Sequence, residues 1–130
     1  MVYDDATGKP IRSGTTVVGH PTIGIGRALD VHGISHAEAV FLLEDDIAAV
    51  LPDMPRVVGP CWPNLSPARQ AVLAAMAFQM GANGLLAFRF TLNRIASYDF
   101  AAAADAMLAS TWAKQTPARA QRMAQMMREG

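Results

Sequence analysis

Acid–base chemistry in this 130-residue chain has to come from its eleven carboxylates and three histidines. The single cysteine, Cys61, excludes an internal disulfide and any cysteine-based metal cluster, and it reads as a buried, inert thiol. Carboxylates work in pairs when one must donate a proton and the other must stay ionised. Asp4 and Asp5 stand side by side after Tyr3, but neighbouring residues of a strand point to opposite faces, so the two cannot flank one substrate. Glu38, three residues after Ser35, is committed to a capping box. Glu44, Asp45 and Asp46 fall on a long helical stretch, and Asp99 has the place of an N-cap. His20 sits beside Pro21 in a glycine-rich turn, where a lone histidine reads as structural rather than catalytic.

The elements that would position these groups change character along the chain. The first thirty residues are rich in Gly, Thr and β-branched residues, at 15–18 and again at Thr22, Ile23 and Ile25, which predicts short strands of a hairpin or small meander. From Ser35 the period becomes helical, with Ala39, Leu42, Leu43, Ile47 and Val50 sharing one face until Pro52 and Pro55 end the helix. Ser66-Pro67 marks a second helix start and Gly81 its end, enclosing an apolar run that predicts the central buried helix. Shorter helices are predicted over 88–96, 100–108 and 118–128, the last capped by Thr116-Pro117. The arrangement is α+β, mainly α, within a single domain: a β lobe at 1–34, a connecting helix at 35–51 and a helical lobe at 52–130. A groove is expected where the β piece and the helical body meet.

Composition narrows the function classes. With 52% apolar and 17% charged residues the chain is globular rather than disordered. No apolar run approaches the roughly 18 residues of a membrane span, so no membrane insertion is expected. The opening residues lack a secretory pattern, which makes the cytoplasm the expected address. Residues 1–65 carry four Lys/Arg against eight Asp/Glu, and residues 66–130 carry seven against three. That split suits an acidic and a basic lobe facing each other and does not suggest nucleic acid, which calls for a basic stripe.

Five blocks, "YDDATG", "TIGIGRALD", "GISHAEAVFLLEDDI", "MAFQMG" and "STWAKQTPARAQRM", together resemble the bacteriophage-type lysozymes, endolysins of glycoside hydrolase family 24. The resemblance implies a lysozyme-like two-lobe fold: a small β-hairpin lobe, a connecting helix and a helical lobe, with bacterial peptidoglycan bound between the lobes. It implies hydrolysis of the β-1,4 bond between N-acetylmuramic acid and N-acetylglucosamine for host cell lysis, without metal or organic cofactor, after another agent has permeabilised the membrane. Asp5 matches the family's catalytic Asp and Thr22 the Thr that helps hold the water. Gln79 matches a cleft-lining Gln that hydrogen-bonds the sugar, with Phe78 beside it as a further substrate-binding candidate, and Arg119 matches an Arg that reaches the catalytic Glu. Trp112 matches a core Trp. Arg27 and Asp46 match a His–Asp pair, so an ion pair between them is expected. Residues 9–20 form an insertion relative to compact members and read as an extended hairpin.

The resemblance breaks at the general acid, a Glu that the family carries on a helix before the position of Tyr3; only Met1 and Val2 precede it here. Two explanations stand: the recorded start is internal to a longer protein, or the chain keeps the cleft without the chemistry. The first is favoured, because Asp5, Thr22 and Arg119 are all present together. The corresponding alternative function is an inactive peptidoglycan-binding or interaction module. A monomer is expected; the alternative is association through the apolar surface that the first helix would cover, for which Met123, Met126 and Met127 are the candidates.

Overall fold

The computed structural model describes residues 1–130. By contact the chain divides into two compact units, Met1–Leu43 and Glu44–Gly130. The first holds a three-stranded antiparallel sheet of β1 (Val2–Asp4), β2 (Pro21–Ile23) and β3 (Arg27–Ala28), in that order. Tyr3 stands opposite Thr22, and Thr22 opposite Ala28. Gly24 and Gly26 both adopt positive φ, which turns β2 into β3 over three residues. A single helical turn, α1 (Leu29–His32), follows.

The long helix α2 (His36–Val50) starts as its sequence signals. Ser35 Oγ accepts from the Glu38 N–H and the Glu38 carboxylate accepts from the Ser35 N–H at 2.7 Å, a closed capping box. The boundary between the two units falls inside this helix. Pro52 and Pro55 do more than end it: they open the 3-10 turn Leu51–Asp53 and the short helix α3 (Met54–Val58). In the second unit follow α4 (Pro67–Met80), α5 (Ala82–Leu86), α6 (Arg89–Ala96), α7 (Phe100–Leu108), α8 (Thr111–Gln115) and α9 (Pro117–Glu129). Ser66 caps α4, and Asp99 caps α7, each side chain accepting a backbone N–H three residues on. The fold is α+β and mainly α.

Several expectations need correction. Residues 15–18 form no strand, because the Asp4 carboxylate takes the Val18 and Gly19 N–H groups that a ladder would need. The insertion at 9–20 is accordingly no long two-stranded hairpin: residues 9–11 pair briefly along β1, through the Tyr3–Pro10 bridge with the Asp4 N–H donating to the Lys9 carbonyl and the Ile11 N–H to the Val2 carbonyl, and a turn follows at 12–15. Thr116 does not cap α9 with its side chain; its hydroxyl donates back to the Trp112 carbonyl of the preceding helix. Met127 is fully buried and Met123 packs on the core, leaving only Met126 exposed, so α9 presents no methionine stripe.

The apolar core lies wholly in the second unit, from Met54 to Met127, and α4 supplies Val72, Leu73, Ala74, Met76 and Ala77. Cys61 is buried there and burial pushes its thiol pKa up, away from the reactive thiolate. In the first unit the only buried residues are polar, Asp4 and Thr22. Nor does the division follow the charge split read by halves. The first unit carries three Lys/Arg and four Asp/Glu, the second eight and seven, because Glu44, Asp45, Asp46 and Asp53 belong with the basic helices. No helix is long and apolar enough to cross a membrane.

Candidate active site

Asp4 and Asp5 diverge at the end of β1, as alternation requires. Asp4 is 2% exposed and its carboxylate accepts three backbone N–H groups, from Ala6 at 3.0 Å, Val18 at 2.7 Å and Gly19 at 3.1 Å. Those bonds, Val18 first, hold its pKa below the ordinary carboxylate value against the opposing effect of burial. Asp4 therefore fastens the returning segment 17–20 to β1. Sequence reasoning rejected it as an acid and missed this role; the readable signal was a short-range one, an Asp before a turn whose side chain accepts from the N–H two residues on.

Asp5 points outward and is exposed. Its Oδ1 accepts the His20 N–H at 2.6 Å, while its own N–H donates to the His20 carbonyl at 3.2 Å. Thr22, 2% exposed, donates its hydroxyl proton to the same carbonyl at 3.1 Å, which leaves the hydroxyl's acceptor positions unused within the protein. Asp5 and Thr22 thus meet at one residue, His20. A side chain at position 19 would collide with Asp5 Oδ1 and approach the Ala6 backbone, so glycine there is a matter of close approach. His20 is more than the structural turn residue expected: its Nδ1 lies 2.9 Å from Asp30 Oδ2 of α1, and that contact raises the imidazole pKa and lowers that of Asp30.

Arg27 pairs with Glu38 at 3.0 Å and donates Nε to the Gly33 carbonyl at 2.7 Å. The expected partner, Asp46, is replaced by the carboxylate of the capping box, which lies closer along the chain to the strand it joins.

In the second unit Gln79, on the exposed last turn of α4, accepts at Oε1 from Trp112 Nε1 at 2.9 Å and from Arg119 NH1 at 3.3 Å. With the oxygen spoken for by two donors, the Gln79 amide nitrogen is the group left to face outward. Trp112 is buried, with Phe88 edge-on at 6.3 Å between ring centroids. Phe78 beside Gln79 is 42% exposed. The structure thus gathers Gln79, Trp112 and Arg119 into one cluster, and Asp5 with Thr22 into another.

The phage lysozyme family model matches residues 6–128. The chain belongs to the phage lysozyme family. It is 31% identical over 139 residues to the pre-baseplate central spike protein Gp5 of Enterobacteria phage T4, covering 86% of this chain and 24% of that protein. It is also similar to probable T4-type lysozymes 1 and 2 of Dictyostelium discoideum, 32% and 31% identical over 96 residues. Those matches cover 74% of this chain, which spans 56% of the length of either relative.

Proposed function

We propose that this phage lysozyme family member is a peptidoglycan hydrolase that cleaves the β-1,4 bond between N-acetylmuramic acid and N-acetylglucosamine. The observation that carries the reading is Asp5: an exposed carboxylate, oriented by the His20 N–H, with the Thr22 hydroxyl fixed at the same residue. In such a site the ionised carboxylate positions or activates water, or stabilises the oxocarbenium-like transition state, while the leaving-group proton needs a protonated carboxyl, the family's general-acid Glu, which has no match among these 130 residues. Thr22 accepts a hydrogen bond from the water. Gln79, through its amide nitrogen, and Arg119 and Phe78 beside it contact the glycan. The biological setting is lysis of a bacterial host, with the protein acting as a monomer.

A second reading, glycan binding without cleavage, is favoured by the carboxyls whose acidity the fold shifts. Asp4, Asp30 and Glu38 all move down, the opposite of what a general acid requires. Release of reducing ends from purified peptidoglycan, by the chain and by Asp5→Asn, separates the two. A hydrolase loses about 10²–10⁴-fold in rate on this substitution. Retention on sedimented peptidoglycan with no reducing ends from either protein supports the binding module instead.

A further inference from the structure

Three constraints meet at His20. Its N–H and carbonyl hold Asp5, its carbonyl takes the Thr22 hydroxyl, and its ring is held from α1 by Asp30. The two preceding N–H groups, of Val18 and Gly19, end on Asp4. The His20 backbone is therefore fixed on the chain's incoming side by Asp4, and its imidazole is tethered separately by Asp30.

We propose that His20 is the positioning residue for Asp5 and Thr22, and that its tether to Asp30 makes this positioning depend on the charge of the imidazole. The inference rests on the reading of Asp5 as the catalytic carboxylate. As imidazolium, the ring meets Asp30 as both hydrogen-bond donor and opposite charge; as neutral imidazole it keeps at most the hydrogen bond. The charged groups that act on the ring are all carboxylates, Asp30 from α1 and Asp5 and Asp4 from the end of β1, and each favours the charged form. The His20 pKa accordingly lies above its ordinary 6.5, with the Asp30 hydrogen bond as the largest cause. The ionic part of the tether is fully present below pH 6.5 and is lost as pH rises through the raised value.

The test follows the full chain by NMR from pH 5 to 9. It uses the scalar coupling across the hydrogen bond from the His20 amide nitrogen to the Asp5 carboxyl carbon, which reports bond geometry rather than the local field. The coupling is expected to weaken with the same midpoint as the His20 ring resonances. In Asp30→Asn that midpoint moves down towards the ordinary histidine value, and in His20→Gln, which retains a donor for Asp30, the coupling becomes independent of pH. Cleavage assays run in parallel are expected to show kcat following the coupling, with a loss of no more than about 10²-fold and KM unchanged. A coupling that stays constant while the ring titrates overturns the inference, as does an Asp30→Asn protein whose coupling and kcat profiles match the parent's. If instead Asp5→Asn cleaves as well as the parent while the coupling still follows the ring, the catalytic reading of Asp5 fails and the link between His20 and Asp5 stands.

Discussion

Asp4 shows how a residue without catalytic exposure can set the geometry of a site. Its three N–H bonds fasten residues 17–20, and through them the His20 N–H that orients Asp5. Because its folded pKa is depressed, the stabilisation it contributes is present above the ordinary value of 3.8 and is lost as pH falls through the lower folded value. Asp4→Asn is expected to lower stability at neutral pH and to flatten the loss below pH 3.8, as read from urea midpoints taken across the acid range. At this scale the sequence was legible only in part: strand alternation separated Asp4 from Asp5, but nothing in "YDDATG" said that Asp4 would be satisfied by Val18, fourteen residues away.

At the scale of elements, two starts of one written type behave differently. Ser66-Pro67 opens α4 with the hydroxyl on the Arg69 N–H at 3.3 Å, and Gln70 adds a bond from its side chain to the Trp62 carbonyl at 2.8 Å. Ser66→Ala is expected to cost about 1 kcal/mol in equilibrium unfolding. Thr116-Pro117 has the same pattern, yet Thr116 also ends α8, and its hydroxyl is drawn back to the Trp112 carbonyl at 3.1 Å. α8 itself starts at Ser110, whose Oγ accepts from the Ala113 N–H. A cap-and-proline signal therefore locates a helix boundary reliably without deciding which helix the hydroxyl serves, because a connection of one residue gives it acceptors and donors on both sides.

Taken as a whole, the molecule separates its stabilising core from its candidate catalytic carboxylate. The apolar core lies within Glu44–Gly130, whereas Asp5 and Thr22 belong to a unit whose buried residues are Asp4 and Thr22 alone. Hydrogen bonds exposed at one end to water open more readily than those under a packed core. Native-state hydrogen exchange is expected to show the amides of α4 opening only with the second unit as a whole, and those of 17–20 opening locally at much lower cost. Met76→Ala, at a fully buried core position, is expected to remove about 2–5 kcal/mol from the protection of the second unit and to leave exchange at 17–20 unchanged.

By itself the sequence determined the features that act over a turn or less: the Ser35–Glu38 box, the Ser66 and Asp99 caps, and the periodicity that separates a β start from a helical body. Each depends on groups within about four residues of one another, where backbone geometry leaves few alternatives. Ile25, read with the strand residues, instead lies in the turn between β2 and β3. The tertiary structure alone decided which distant groups meet. Asp4 takes the N–H of Val18, Gln79 accepts from Trp112 and Arg119 across 33 and 40 positions, and Arg69 reaches the Met127 carbonyl across 58. The physical reason is that a polar side chain specifies only that it needs a partner when buried, and the path by which the chain returns settles who that partner is.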